Sequence, residues 1–165
     1  MDHVARIQAA WADVWPELDV SPIGVIGRLH RVGLLLTDQL RLIYRRFGLS
    51  EGEFDVLATL RRAGEPFERA PGEIAAHTMV TTSAVTKRID RLECAGLVTR
   101  RPSEEDGRGR VVALTPAGRD LIDRAVVEHL RNERRLLSEL TPEQVKELEQ
   151  LLTIWLEKLE PPRPC

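Results

Sequence analysis

The sequence predicts a mainly α-helical chain carrying one small β-hairpin wing. Apolar residues recur at three- and four-residue steps through most of the 165 residues, which is the spacing of helices with one buried face. Helix start and stop residues bracket those runs. Only residues 97–114 break the pattern, with two short alternating runs on either side of a polar, glycine-bearing loop, as in a hairpin.

Residues 2–15 read as a short helix bearing Trp11 and Trp15, closed by Pro16 and the Asp19–Pro22 stretch. A long helix follows over about 22–47, where Leu29, Val32, Leu36, Leu40, Ile43 and Phe47 make one apolar stripe. Gly48 stands where a helix end favours a left-handed residue. Ser50 and Glu53 form a capping box that opens a helix over 51–63, and Gly64–Pro66 ends it. A short helix follows Pro71, over about 72–79. Thr81 or Thr82 caps the next, over about 82–95, which stops at Gly96. Leu97–Arg100 and Arg110–Leu114 are the two strands of the hairpin. Thr115-Pro116 is an N-cap followed by a proline at the first helical position, and that helix runs to about 138. Thr141-Pro142-Glu143-Gln144 starts the last helix in the same way, with a capping-box glutamine. Its Val145, Leu148, Leu152, Trp155 and Leu159 repeat at steps of 3, 4, 3 and 4, a coiled-coil-like seam.

Composition limits the function classes. Hydrophobic residues make up 42% and charged residues 30%, a folded, globular balance. No apolar run approaches the roughly 18 residues of a membrane span, and the N-terminus does not resemble a signal peptide, so a cytoplasmic location is expected. Two cysteines, Cys94 and Cys165, are too few for a disulfide framework or a four-sulfur zinc site. Four histidines without HExxH or CxxC companions give a metal site no support, and no cofactor is expected. No glycine-rich phosphate loop, nucleophile elbow or paired-carboxylate motif points to an enzyme.

The net charge of −2 conceals a basic middle. Residues 61–110 carry 10 Lys+Arg against 8 Asp+Glu, whereas the flanking segments are each acidic by two charges. Lys87, Arg88, Arg91, Arg100, Arg101, Arg108 and Arg110 fall in this stretch. A local basic patch on an acidic chain suits a nucleic-acid reader.

A helix, a short helix, a capped helix and a charged hairpin, in that order, make a winged helix-turn-helix. The second helix of the pair then enters the major groove and the hairpin reaches the backbone or minor groove. On the 82–95 helix, Val85, Ile89 and Leu92 share one side, while Ser83, Lys87, Asp90 and Arg91 share the other, flanked by Thr86. Thr82, Ser83, Thr86, Lys87 and Arg91 are therefore the candidate DNA contacts on this helix. In the wing, Arg108 and Arg110 sit beside Gly107 and Gly109 and suit a narrow minor groove. Asp106 is assigned to bracing Arg108.

With those residues in view, Pro71–Arg119 resembles the MarR family of bacterial transcriptional regulators. The likeness rests on the helix pair GEIAAHTMVTTSAVTKRIDRLECAGLVTR, on the wing residues Asp106, Arg108, Val112, Leu114 and Thr115, and on the Thr-Pro-Ala-Gly-Arg that follows. Gly107 stands where many members carry a second wing arginine, with Arg110 as the alternative. The resemblance implies a homodimer whose two winged lobes read a pseudo-palindromic operator, steric repression being the family default. The seam of the last helix and the stripe of the long one fit dimerisation independently. The expected organisation is 1–48 as N-terminal helices, 49–115 as the winged helix-turn-helix, and 116–165 as C-terminal dimerisation helices.

The chain also looks like the branch of that family with an added N-terminal helix and a response to urate or related anions. That resemblance implies a ligand site made of Trp11, Asp55, Arg62 and Arg88. Seven residues turn a helix through about 700°, so Asp55 and Arg62 share a face, roughly 10 Å apart. Arg88 falls at the edge of the buried face of its helix. Two inward arginines are costly unless an anion satisfies them. Urate, xanthine, a tricarboxylate and an aromatic acid all remain open, and Trp15 is the alternative to Trp11 as the lid. Two other readings stand beside it: a thiol-based redox regulator, against which Cys94 is expected to be partly buried and inert, and a DNA binder without an effector.

Overall fold

The computed structural model describes residues 1–78, 82–102 and 109–160, with backbone alone for 82–84. Its elements follow the order α1 (His3–Val14), α2 (Ser21–Arg46), α3 (Glu51–Arg62), β1 (Glu68–Arg69), α4 (Pro71–His77), α5 (Thr82–Cys94), β2 (Val98–Pro102), β3 (Arg110–Leu114), α6 (Pro116–Leu137) and α7 (Pro142–Leu159). This is the mainly helical, winged architecture that the sequence predicts.

The caps lie at the positions their residue types dictate. Ser50 Oγ accepts from the Glu53 backbone N–H at 3.3 Å, while Glu53 Oε2 accepts from the Ser50 N–H at 2.8 Å, completing the reciprocal box. Thr141 and Gln144 repeat it at the start of α7. Thr115 Oγ1 accepts from the Gly118 N–H at 3.0 Å and donates to the Gly96 carbonyl at 2.7 Å. It thereby ties the start of α6 to the turn before the wing. Gly118 has its own reason: a Cβ there would collide with the Leu97 backbone carbonyl.

The wing differs from the expected two-stranded hairpin. β1 joins its edge, giving an antiparallel sheet in the order β1-β3-β2, with Glu68 opposite Ala113 and Val98 opposite Leu114. A two-residue strand has no alternation to read, so nothing local announced it.

The core lies under α3, which buries Val56, Leu57 and Leu60 completely. Ile74 of α4, Val85, Ile89 and Leu92 of α5, Val98 and Val112 of the sheet, and Ile122 and Ala125 of α6 close around it. The predicted inner face of α5 is thus the buried one, at 1–2% exposure. The stripe of α2 divides. Ile43 is buried and Leu40 and Phe47 are partly so, but Leu29, Val32 and Leu36 are 40–50% exposed. The seam of α7 has no buried residue, and α7 packs only sparsely against the rest of the chain. Among the described residues, no helix is long and apolar enough to cross a membrane.

Candidate functional site

The outward side of α5 carries Thr86, Lys87, Asp90 and Arg91, all exposed. Arg91 is also anchored, its Nε lying 2.9 Å from Glu53 of α3. Burial pushes the Glu53 carboxyl up, but its hydrogen bonds to Ser50 and the charges of Arg91 and Arg88 outweigh that and hold it below the usual carboxylate range. Of Thr82 and Ser83 only the helical backbone is described. Arg110 is exposed at the start of β3, while Asp106 and Arg108 lie outside the described residues.

The basic patch is smaller than the sequence suggests. Arg100 pairs with Asp90 and Glu93, and Arg101 pairs with Glu68. These two arginines brace the wing against α5 and β1, so their charge is largely neutralised. Cys94, expected to be partly buried, is exposed at the end of α5. It stands seven residues after Lys87, on the outward face of the helix.

Behind α5 the chain forms a cleft of about 470 Å³, bounded by α2, α3, α4, α5 and α6. Asp55, Arg62 and Arg88 all line it, together with Glu51, Gly52, Tyr44, Phe54, His77 and His129. An adjoining hollow of about 620 Å³ shares Phe54, Arg62 and His129 and continues along Ala58, Val126 and Leu130. Trp11 and Trp15 are not among the lining residues. They lie on and just after α1, which packs on α2, and are 44% and 53% exposed.

Arg88 enters the cleft through a notch in α3. A Cβ on Gly52 would collide with the Arg88 guanidinium, so only glycine lets the side chain lie flat against that helix. Its Nη1 is buried and has no hydrogen-bond partner. Arg62 Nη2 donates to Thr59 Oγ1 at 3.0 Å.

The cleft wall includes an aromatic group that sequence reasoning missed. The Tyr44 and Phe54 rings stack at 4.4 Å, with His129 5.0 Å from Phe54. Tyr44 Oη lies 3.4 Å from His129 Nδ1, and His129 Nε2 lies 3.2 Å from Glu133. A neutral imidazole with its proton on Nε2 satisfies both contacts, donating to Glu133 and accepting from the phenol. Burial, then the carboxylates of Glu51, Glu133 and Asp55, pushes the Tyr44 phenol up to about 12, so it remains a donor. Only the period of α6 could have placed His129 near α3, and the partner residue on α2 has no local signal.

The cleft and the exposed face of α5 are thus two sides of one helix, with Lys87 outside and Arg88 inside. Residues 47–109 match the sequence model of the MarR family. The chain is 44% identical over 150 residues to the HTH-type transcriptional regulator PecS of Dickeya dadantii, covering 91% of this chain and 90% of PecS. It is 32% identical over 134 residues to the HTH-type transcriptional repressor Rv2887 of Mycobacterium tuberculosis, covering 81% and 93%. Among solved structures, the fold is similar to the MarR family regulator Sco3205 of Streptomyces coelicolor in complex with DNA, with a TM-score of 0.78, 27% identity, and 89% and 93% of the two chains covered. The chain belongs to the MarR family and is a DNA-binding transcriptional regulator.

Proposed function

We propose that the protein is a cytoplasmic, homodimeric repressor that a small planar anion releases from a pseudo-palindromic operator. The observation that carries this reading is Arg88. It sits on the helix that faces DNA, yet its guanidinium turns inward with a buried, unpartnered Nη1, into a cleft it shares with Asp55 and Arg62. A buried guanidinium donor without an acceptor is unfavourable. An oxyanion between Arg62 and Arg88 relieves that and disfavours the nearby Asp55 carboxylate. Urate, a planar monoanion at neutral pH, suits such a site, and xanthine shares its shape and hydrogen-bonding edge.

On this reading, Thr82, Ser83, Thr86, Lys87 and Arg91 meet the major groove, while Arg108 and Arg110 of the wing meet the minor groove or backbone. The anion acts by binding one placement of α5 more tightly than another. Trp11 reaches the ligand only by a rearrangement of α1 or from a second copy.

Fluorescence anisotropy of the DNA upstream of the protein's own gene tests this, titrated with protein alone, with urate and with xanthine. The expected result is tight, salt-sensitive binding that weakens with one of the purines. Arg62→Ala binds that DNA like the parent and loses the response. Binding indifferent to both anions, or an unchanged response in Arg62→Ala, overturns the effector site and leaves the regulator standing.

A further inference from the structure

A second basic groove, which shares no lining residue with the Arg88 cleft, lies between α2 and α6 and encloses about 460 Å³. Gln39, Ile43 and Arg46 face it from α2, and Arg131, Asn132 and Arg135 face it from α6. The steps of three and four along both helices place these side chains on matching faces.

Asn132 is the unusual residue. It is only 7% exposed, one of two buried polar residues among those described. Its amide orientation is fixed, because Arg135 Nη2 donates to Asn132 Oδ1 at 3.0 Å and to Gln39 Oε1 at 3.1 Å. That leaves Nδ2 as the end without a partner, and the atom is buried and forms no hydrogen bond. A buried donor left unpaired is unfavourable, and a native fold keeps one where something else satisfies it.

The groove supplies further donors beside Asn132. Arg131 is engaged by Glu128, the acid in the lining. Arg46 forms no ion pair among the described residues, and Arg135 has spent only one nitrogen on its two acceptors. The surplus is positive, and Leu42 and Ile43 provide an apolar wall. We propose that this groove is a second ligand site, taking a small oxyanion (a carboxylate or a phosphate) that accepts from the guanidinium groups of Arg135 and Arg46 and, once a small turn of the Asn132 side chain opens its buried amide to the groove, from Nδ2. Such an anion bridges α2 and α6, the two long helices that also wall the Arg88 cleft. The proposal stands whether or not that cleft binds urate.

The test follows the Asn132 side-chain amide resonance by NMR in the full-length protein. Inorganic phosphate and acetate are titrated in separate arms at constant ionic strength, with chloride as the balancing salt. The expected result is a saturable shift of that resonance in at least one arm, with the midpoint raised about ten-fold or more in Arg135→Gln and in Arg46→Gln. The arm that saturates identifies the source. No saturable shift in either arm overturns the proposal, as does a midpoint unchanged from the parent's in both variants. A further outcome also overturns it: if Glu147→Gln or Glu149→Gln on the acidic α7 moves the resonance without added anion, the groove is seated by a carboxylate of a second copy.

Discussion

The winged lobe and the long-helix region treat their apolar residues in opposite ways. In the lobe, Val56, Leu57, Leu60, Ile74 and Val112 have no exposure at all. In the long helices, Leu29, Val32 and Leu36 of α2 are 40–50% exposed, and Leu148 and Leu152 of α7 are 41% and 39% exposed. The lobe closes its own core, whereas the long helices present an apolar stripe and a seam that a single chain does not cover. An exposed face of that size on two helices of one region marks an interaction surface. On the proposed dimer the difference is one of stoichiometry: the reading head is complete in one chain, and the region that would set the spacing of two heads is complete only in two.

The strongest way to break this contrast is to strike each region once. Leu57→Ala removes a fully buried side chain and should cost about 2–5 kcal/mol, read as a lower midpoint in urea unfolding. Leu152→Glu places a charge on the open α7 seam. It should leave the helical content of each chain nearly intact and convert the dimer to monomer in light scattering. A dimer that survives Leu152→Glu removes α7 from the interface.

Gly52→Ala sharpens the contrast inside the lobe, with a smaller effect. A methyl there meets the Arg88 guanidinium, but that is the far end of a flexible side chain and can swing away, and alanine inside a helix is favoured over glycine by roughly 0.5–1 kcal/mol. Stability in urea should therefore stay close to the parent's, while Arg88 should leave the cleft and any effector response should fall. An unchanged effector response would show that the notch does not set the placement of Arg88.

Much of this is legible in the sequence alone. Ser50, Thr115 and Thr141 announce three helix starts because a cap is a local device, satisfied within three residues. Val85, Ile89 and Leu92 show the buried side of α5 because a helical period is local too. The unreadable parts depend on segments far apart in sequence. Arg100 and Arg101 count as free bases until Asp90, Glu93 and Glu68 are brought beside them. Gly52 looks like an ordinary glycine until Arg88 lies across it. Cys94, expected to be partly buried, shares the outward face of α5 with Lys87 seven residues earlier and is exposed. Asp55, Arg62 and Arg88 came from a family resemblance, and periodicity could relate only the first two, which share a helix.

The smallest expected effect is also the cleanest to read, because Tyr44 is the chain's single tyrosine. Its phenol is held up to about 12 from an ordinary 10.0, first by burial and then by the carboxylates of Glu51, Glu133 and Asp55. A neutral form favoured in the folded state gives a contribution that is fully present below the unfolded value near 10. It is lost as pH climbs through the folded value near 12. Phenolate absorbance in the folded protein should therefore titrate well above that of the urea-unfolded chain, and stability should decline across that interval. Tyr44→Phe should abolish the absorbance change. At neutral pH it should cost only about 1 kcal/mol, the net worth of one hydrogen bond, because the stack on Phe54 at 4.4 Å is retained. An unshifted titration would mean that the α2–α3–α6 junction is open to water in solution, and the wall that Tyr44 gives the Arg88 cleft would then be absent.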